Sequence, residues 1–233
     1  MGTLYIVATP IGNLQDISLR AIDTLCSVDF ILCEDTRTTG ILIRNIQSKF
    51  PEKRIKARLI SYYEENEMKR IPEILQMLNK DFDFALVSDA GTPSISDPGF
   101  KLIRDSKLLG IKVISIPGAS SVISALVSSG LPTDKFMFLG FLPKKPGHRK
   151  DLLLNTQKSL RLIKQTVIFF ESPFRLVNTL KEIYEVFGDV NVVVARELTK
   201  VHEEVRKEKL SEAIKYYENA SIKGELVVLF NLE

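Results

Sequence analysis

Short apolar runs rich in β-branched residues alternate with segments of helical periodicity along almost the whole chain. The run from Thr3 to Ala8 predicts a first strand, and Leu19 to Val28 predicts the helix that follows it. Between Glu67 and Leu78, apolar residues recur at i, i+3, i+4 and i+7, which places them on one face of a helix. Alternating strands and helices predict an α/β fold with a mainly parallel sheet.

The same pattern extends through the rest of the sequence. Further strands are predicted at 30–33, 59–63, 82–87, 112–116, 136–141, 167–170, 190–195 and 225–230, with helices at 40–47, 100–109, 119–129, 174–187 and 211–217. Residues 142–150 are predicted to form a loop before another helix, and a charged stretch precedes the helix at 211–217. Pro117-Gly118 interrupts the pattern. It divides the chain into an N-terminal α/β domain at 1–118 and a C-terminal α/β domain at 119–233.

Composition narrows the class of protein. The chain has 233 residues, of which 45% are hydrophobic and 26% charged, so it can bury a sizeable core. Its net charge of +3 permits an anionic partner without requiring one. Two cysteines with no second pair form no disulfide framework, and the N-terminus lacks the features of a secretory signal. With no run long enough to cross a membrane, the prediction is a soluble cytoplasmic protein.

Several common catalytic signatures are missing. No two glycines lie two residues apart, so the G-x-G-x-x-G dinucleotide fingerprint is absent, as are a P-loop and a G-x-S-x-G elbow. With His148 and His202 as its only histidines, the chain is a poor candidate for a His-dependent triad or a metal centre. A site would have to consist of carboxylates, hydroxyls, arginines and backbone groups, and no metal is predicted.

Polar residues, glycines and prolines mark seven predicted strand ends. These segments are 8–13 (ATPIGN), 33–37 (CEDTR), 88–99 (SDAGTPSISDPG), 117–121 (PGASS), 170–175 (FESPFR), 195–200 (ARELTK) and 223–225 (KGE). Open α/β sheets bind ligands beyond the carboxyl ends of their strands, so these segments could converge on one cleft. Each segment alone is weak evidence for a binding site, and only their joint placement at strand ends indicates one.

Each segment also has a purely structural interpretation. The segment at 8–13 can be an ordinary βα turn, and Asp35 or Thr36 can cap the next helix. Asp97 can cap the helix after it, with Pro98 at the first helical position. Two consecutive turns explain the residues at 97–99 well. They explain those at 88–93 poorly, because a single turn would have sufficed to reverse the chain. In 88–93, Asp89 can accept hydrogen bonds from a ligand, and Gly91 allows close backbone approach.

Two further groups of charged residues have open interpretations. Residues 143–150 (PKKPGHRK) place four formal positive charges in eight residues, which suits a phosphate backbone or simply a solvated loop. Glu171 and Arg175 are expected to be exposed where a strand passes into a helix.

Taken together, the segments resemble a known family. LYIVATPIGNLQDIS, CEDTR, SDAGTPSISDPG, IPGASS, ESPFR, ARELTKVHEE and KGE occur in the order seen in the ribosomal-RNA small-subunit branch of the tetrapyrrole-methylase-like (class III) methyltransferases. The resemblance runs from Thr3 to about Phe230, and SDAGTPSISDPG is its most specific part. Many members carry a small helical C-terminal extension. The present sequence ends at Glu233, just after its last predicted strand, which puts contacts made by such an extension in question.

This resemblance implies two α/β domains of the tetrapyrrole methylase type, with S-adenosylmethionine folded in the cleft between them, and a homodimer. It also implies 2′-O-methylation of a cytidine ribose in 16S ribosomal RNA at the decoding centre of the small ribosomal subunit. Carried over by position, the residues that would bind the cofactor are Pro10, Ile11, Asp89, Gly91, Thr92, Pro93, Ser120, Ser121, Glu171, Ala195 and Gly224.

Methylation of a hydroxyl needs a group that removes its proton. Glu34 and Asp35 are the first candidates for this base, followed by Glu171 and Glu197. Arg37 is placed with Glu34 and Asp35 in the catalytic group, where it would hold the target ribose or a phosphate. The predicted RNA-binding residues are Lys144, Lys145, Arg149, Lys150, Arg175 and Arg196.

Two other functions stay open on sequence grounds. One is a methyltransferase of the same fold that acts on a small molecule such as a tetrapyrrole. The other is a catalytically silent RNA-binding or assembly protein.

Overall fold

In the computed structural model, which describes residues 1–232, the chain divides into two units, Met1–Ser120 and a second that begins at Ser121. Each unit contains one five-stranded sheet. The predicted α/β class is therefore confirmed. No helix within the described residues is long and apolar enough to span a membrane.

The sheet of the first unit is entirely parallel, with strand order β3-β2-β4-β1-β5. Its strands are β1 (Thr3–Val7), β2 (Phe30–Cys33), β3 (Arg58–Ser61), β4 (Phe84–Val87) and β5 (Lys112–Ile116). Its helices are α1 (Leu19–Ser27), α2 (Thr36–Lys49), α3 (Glu64–Leu78) and α4 (Phe100–Leu108). Two hydrophobic clusters cover its two faces, which explains why the strands are continuous apolar runs.

The helices leave this sheet on opposite faces. Ile46 of α2 packs into one cluster, whereas Ile74 of α3 and Leu102 of α4 pack into the other. The strand β2 lies between β3 and β4, so the chain after β2 turns to one face while its neighbours turn to the other. Such a divergence leaves a crevice beyond the carboxyl ends of the strands, which is where open α/β sheets bind ligands.

The second unit has a mixed sheet, with order β6-β7-β10-β8-β9. Its strands are β6 (Phe136–Phe141), β7 (Thr166–Glu171), β8 (Asn191–Arg196), β9 (Glu204–Lys209) and β10 (Leu226–Phe230). Its helices are α5 (Ser121–Ser128), α6 (Pro146–Leu162), α7 (Leu176–Phe187) and α8 (Leu210–Asn219). β10 lies antiparallel between β7 and β8, so the parallel arrangement predicted from the first half of the chain does not extend to this unit.

Two elements of the second unit differ from the prediction. The charged stretch before α8 forms β9, which lies at the edge of the sheet beside β8 and whose charged side chains are half-buried or exposed. The predicted loop at 142–150 is half helix, because α6 begins at Pro146, where proline is well tolerated in a first helical turn. In the first unit, α2 begins at Thr36 rather than near residue 40.

Candidate active site

The carboxyl ends of β2, β3 and β4 enclose an open cleft of about 480 Å³. The residues that line it are Glu34, Asp35, Thr36, Arg37, Ser61, Tyr63, Glu64, Glu65 and Asp89. Five of these side chains are acidic and one is basic, so the cleft presents many hydrogen-bond acceptors. The structure therefore brings together the predicted residues of the CEDTR segment and Asp89.

Sequence reasoning missed the contribution of β3. The predicted strand ran to Tyr63, whereas β3 ends at Ser61 and α3 begins at Glu64. Tyr63, Glu64 and Glu65 therefore belong to a strand exit, like the other lining residues. The paired glutamates after a short apolar run were the signal that could have identified them.

Asp35 caps α2 and holds Arg37. Its carboxylate accepts a hydrogen bond from the Arg37 backbone N–H at 2.8 Å and from the guanidinium Nε and Nη2 at 3.0 and 2.6 Å. These bonds to Arg37 lower the pKa of Asp35 to about 2. The capping interpretation of Asp35 is confirmed. A carboxylate that binds protons so weakly is a poor general base near neutral pH.

Glu34 has a different environment, although it is the next residue. Its side chain is exposed, and no hydrogen bond or ion pair reaches it from residues 1–232. Although the residue is exposed as a whole, the cleft shields its carboxyl partly from water, and this desolvation, followed by the negative charges of Asp97 and Asp89, raises the pKa of Glu34. Of the two adjacent carboxylates, Glu34 is thus the stronger base.

Asp89 lies at the exit of β4 and contacts the exit of β2. Its Oδ1 accepts a hydrogen bond from the backbone N–H of Asp35 at 3.2 Å. Burial raises the pKa of Asp89, an effect that this hydrogen bond partly offsets. The carboxylate is half-buried and retains capacity to accept further hydrogen bonds.

The loop after β4 is tied to the loop after β1. Thr9 and Gly91 exchange backbone hydrogen bonds of 2.9 and 3.1 Å. Gly91 has φ +83°, and a Cβ at this position would lie 3.2 Å from Cγ2 of the buried Ile11. The backbone conformation and the close packing therefore both favour glycine here.

The exit of β5 joins the same group of loops. The Thr92 hydroxyl donates to the carbonyl of Ala119 at 3.1 Å, and a Cβ on Gly118 would lie 3.0 Å from that of Ala8. Pro10 and Pro93 are buried, whereas Ser120 and Ser121 are half-buried where the first unit ends and the second begins. The predicted cofactor-binding residues of the first unit thus share one edge of its sheet. Their role in binding stays a prediction.

The expected cap of α4 is wrong. The residue that precedes the helix is Gly99, and no side chain of its own segment caps it. Asp97 instead accepts a hydrogen bond from the Ser88 hydroxyl at the start of the loop. The carboxylate that binds the Gly99 N–H belongs to Glu67 of α3, at 3.1 Å.

Glu171 in the second unit is buried rather than exposed, which corrects the sequence expectation. Its carboxylate accepts hydrogen bonds from Arg175 at 2.8 and 2.9 Å, from the Thr179 hydroxyl at 2.6 Å and from the Ser172 N–H at 2.7 Å. These bonds occupy both oxygens and fix the start of α7. Glu171 is consequently a weaker candidate for a base than Glu34.

Glu197 is also engaged within its own unit. It has a left-handed backbone, with φ +51°, and its Oε1 accepts hydrogen bonds from Lys200 Nζ at 2.9 Å and Glu225 N–H at 3.0 Å. The neighbouring Ala195 is fully buried in β8. The carboxylate of Glu197 lies directly over Gly224, where a Cβ would come within 2.3 Å of it. The predicted roles of Ala195 and Gly224 in cofactor binding stay predictions.

Replacing Gly224 by Ala is expected to lower the free energy of unfolding by roughly 2–3 kcal/mol, because the new methyl group displaces Glu197 in addition to straining the backbone at φ +89°. Gly188→Ala is the matched control. Gly188 has φ +76° and open space around it, so its substitution carries the backbone cost alone. Thermal or denaturant unfolding of both variants measures the difference. Equal losses would show that the contact with Glu197 is not a constraint.

The predicted RNA-binding residues fall into three groups. Lys144, Lys145 and Lys150 are exposed, and Lys150 lies 3.8 Å from Glu185. Arg175 and Arg196 are half-buried and paired with Glu171 and Glu204. The remaining residue, Arg149, is buried, contrary to the prediction.

Arg149 is 6% exposed and is removed from the candidate RNA-binding surface. Its guanidinium pairs with Glu182 and donates to the carbonyls of Pro143 and Lys144 at 3.1 and 3.3 Å. It became buried because α6 begins early, which turns residue 149 toward the core. Within residues 1–232, no group of three or more His, Cys, Asp or Glu side chains is arranged to hold a metal ion.

A family model and several known proteins match this chain. The model of the tetrapyrrole (corrin/porphyrin) methylases matches residues 3–214. A protein of Thermotoga maritima named ribosomal RNA small subunit methyltransferase I is 46% identical over 231 residues, covering 99% of both chains. A protein of the same name from Streptococcus pyogenes serotype M3 is 42% identical over 228 residues, covering 98% of this chain and 76% of its own length.

Solved structures share the fold at low sequence identity. The cobalt precorrin-4 methyltransferase matches with a TM-score of 0.69 and 18% identity, over 98% of this chain and 94% of its own. The uroporphyrin-III C-methyltransferase of Thermus thermophilus, in complex with S-adenosyl homocysteine, matches with a TM-score of 0.63 and 16% identity, over 98% and 97%. These likenesses confirm the predicted fold type.

Proposed function

Because the chain belongs to the tetrapyrrole methylase family, we propose that it methylates the ribose 2′-oxygen of a cytidine in small-subunit ribosomal RNA, with S-adenosylmethionine as methyl donor. The observation that carries this proposal is the 46% identity, over 99% of both chains, to a protein named ribosomal RNA small subunit methyltransferase I. The choice of cytidine, of the 2′-oxygen and of the decoding centre rests on the motif resemblance.

The residues of the first unit fit the proposed methyl donor. Gly91 and Gly118 leave the exits of β4 and β5 without side chains at these positions, and Asp89 places a half-buried carboxylate at the exit of β4. This arrangement suits a ligand with hydroxyl and amino groups near the backbone. When bound, S-adenosylmethionine supplies an activated methyl group. Pro10, Ile11, Asp89, Gly91, Thr92 and Pro93 would hold it.

The acidic cleft suits a ribose or a base better than a phosphate. Carboxylates accept hydrogen bonds from hydroxyl and amino groups but repel phosphate oxygens. Arg37 is the one cation among the lining residues, and its side chain is 88% exposed. It is therefore the group that would steady a phosphate next to the target nucleotide.

Glu34 is the residue proposed to take the proton of the 2′-hydroxyl. Its raised pKa makes it the better base, and its oxygens have no competing hydrogen bonds within the described residues. Asp35 holds Arg37 in place through four hydrogen bonds from three donor groups and ties β2 to β4 through Asp89. Positioning by these groups should supply much of the remaining rate.

Label transfer from S-adenosylmethionine tests the function. Small ribosomal subunits that lack the modification, free 16S ribosomal RNA and a porphyrinoid are incubated with the protein and a methyl-labelled donor. Label in ribosomal RNA is expected. Label in the porphyrinoid alone would favour the small-molecule alternative, and no label in any substrate would favour a silent RNA-binding protein.

The exposed Lys144 and Lys145 are expected to contact the phosphate backbone. Replacing both by Glu should weaken RNA binding and reduce the salt slope by roughly 1–2 units, because each phosphate contact contributes about 0.7–0.9 to that slope. The Lys80→Glu/Lys112→Glu variant makes the same change in net charge at exposed positions of the first unit. Titrations at several salt concentrations compare the two. An equal effect of both variants would mean that net charge, not a local contact, governs binding.

The resemblance also supports a cytoplasmic homodimer as part of this proposal. Sedimentation at micromolar concentration distinguishes a dimer from a monomer.

A further inference from the structure

Glu67 is a buried carboxylate that the proposed reaction does not use directly. It lies in the first turns of α3, is 4% exposed and binds three partners. Its Oε1 accepts hydrogen bonds from the Tyr62 hydroxyl at 2.9 Å and from the Gly99 N–H at 3.1 Å. Its Oε2 pairs with Lys101 Nζ at 2.9 Å. Each of these donors comes from outside α3, so Glu67 joins separate segments of the unit.

One of those segments is the loop from Ser88 to Gly99, which has an unfavourable backbone. Ser94 and Ser96 have φ +67° and +64°, and Gly99 has φ +138°. A Cβ at Gly99 would lie 2.7 Å from the Leu86 side chain, so the end of the loop is closely packed against β4. Non-glycine residues with left-handed backbone persist only where surrounding contacts hold them. Glu67 supplies such a contact at the last residue of the loop.

The other segments lead to the opposite walls of the cleft. Tyr63, Glu64 and Glu65 begin α3 and line the cleft on one side, and Asp89 begins the strained loop and lines it on another. Tyr62, which binds Glu67 through its hydroxyl, also donates its backbone N–H to the Cys33 carbonyl at 2.8 Å, next to Glu34. Through these bonds one carboxylate connects the exits of β2, β3 and β4.

We propose that Glu67 is a positioning residue, which fixes the loop Ser88–Gly99 against α3 and thereby sets the position of Asp89 relative to Glu34. Its effect on methyl transfer rests on the proposed function. Its effect on the loop does not, because the contacts lie within the ligand-free protein.

Two substitutions of Glu67 test the role of its hydrogen bond to the Gly99 N–H. Glu67→Leu removes the acceptor of the Gly99 N–H, so amide exchange at Gly99 and along the loop should accelerate at least tenfold. Its KM for S-adenosylmethionine should rise by about tenfold, since a displaced loop misplaces Asp89, while kcat falls less. Glu67→Gln retains an oxygen of the same reach, so it should restore KM to within about threefold of wild type. Lys101 is 43% exposed, so water can solvate it in both variants.

Leu78→Ala is the matched control. Leu78 lies on the same helix and is fully buried, but it is eleven residues from Glu67, which places it about three helical turns away. The cavity left by the substitution should lower the melting temperature of the variant. Amide exchange at Gly99 and the KM for S-adenosylmethionine should stay near their wild-type values.

Hydrogen exchange of the ligand-free variants is the deciding experiment, followed by KM and kcat below their melting temperatures. Wild-type exchange at Gly99 in Glu67→Leu would overturn the proposal, and so would an equal rise in KM in Leu78→Ala. If Glu67→Leu does not fold, exchange in Glu67→Gln decides, with at least a twofold acceleration expected at Gly99 and no change counting against the role. Absence of methyl transfer by the wild type would refute the proposed function alone.

Discussion

Replacing Glu34 by Gln is expected to slow methyl transfer by about 10²–10⁴-fold, which is the usual contribution of a general base. The substitution preserves the size of the side chain and its ability to hydrogen-bond, but removes its capacity to take a proton. The affinity for S-adenosylmethionine should stay within about threefold of wild type, because the loops that would hold the donor are not touched. Single-turnover rates and donor affinity, measured on the same preparation, separate the two effects.

The pH dependence of the rate gives this prediction a second test. The ionised form of Glu34 is the active one, so the rate should fall as the pH drops through its pKa. Burial and the charges of Asp97 and Asp89 raise that pKa, which moves the acid limb of the profile above the position typical of an exposed glutamate. The limb should vanish in Glu34→Gln.

Two comparison variants show whether the effect belongs to Glu34. Glu73→Gln changes an exposed glutamate of α3 that pairs with Arg70, and it should leave the rate unchanged. Asp35→Ala should also reduce turnover while retaining donor affinity, through loss of its hold on Arg37 rather than of a base. A normal rate in Glu34→Gln, together with a large loss in Asp35→Ala, would transfer the role of base to Asp35.

Replacing Asp89 by Ala is expected to weaken the binding of S-adenosylmethionine by about 10–100-fold, as loss of a hydrogen bond that a carboxylate accepts typically does. Asp89 is the half-buried acceptor at the end of β4, beside the close backbone contact of Thr9 with Gly91. The variant also removes the acceptor of the Asp35 N–H, so a smaller decrease in kcat should accompany the loss of affinity.

Asp83→Ala is the control for Asp89, because Asp83 lies just before the same strand at its opposite end. Its carboxylate binds the Thr3 N–H at 2.6 Å, so its loss should affect stability but not affinity for the donor. Calorimetric titration with S-adenosyl homocysteine measures both variants without turnover. Wild-type affinity in Asp89→Ala would exclude this residue from the donor site.

The parallel sheet of the first unit was predictable because both of its faces are buried. Burial on both sides makes each strand a continuous apolar run, and the strand exits then stand out as polar segments. The edge strand β9 was missed for the opposite reason. Five of its six residues are charged, so its sequence resembles that of a solvated stretch, although Glu204, Arg206 and Glu208 are half-buried in the structure.

Only the parts of the candidate site that polar residues mark at strand ends could be predicted from the sequence. The CEDTR segment and Asp89 were identified from strand ends, and the structure brings them within hydrogen-bond distance. Glu67 was not identified, because a glutamate early in a helix is typical of a solvated first turn. Its position four residues before Ile71 and seven before Ile74 places it on the buried face of α3, which was the available signal.

Counting charges along the sequence did not predict that Arg149 is buried. Four positive charges in eight residues indicated an exposed basic tip, yet the helix α6 turns one of the four into the core, where Glu182 compensates it. Only tertiary packing decides which member of such a run is buried.

The most direct test of the central claim is a map of 2′-O-methyl groups in 16S ribosomal RNA from cells with and without this protein. The proposed function predicts that a single cytidine near the decoding centre loses its 2′-O-methyl group when the protein is absent. It also predicts that wild-type protein restores this group, whereas Glu34→Gln does not. An unchanged map in cells that lack the protein would contradict the account.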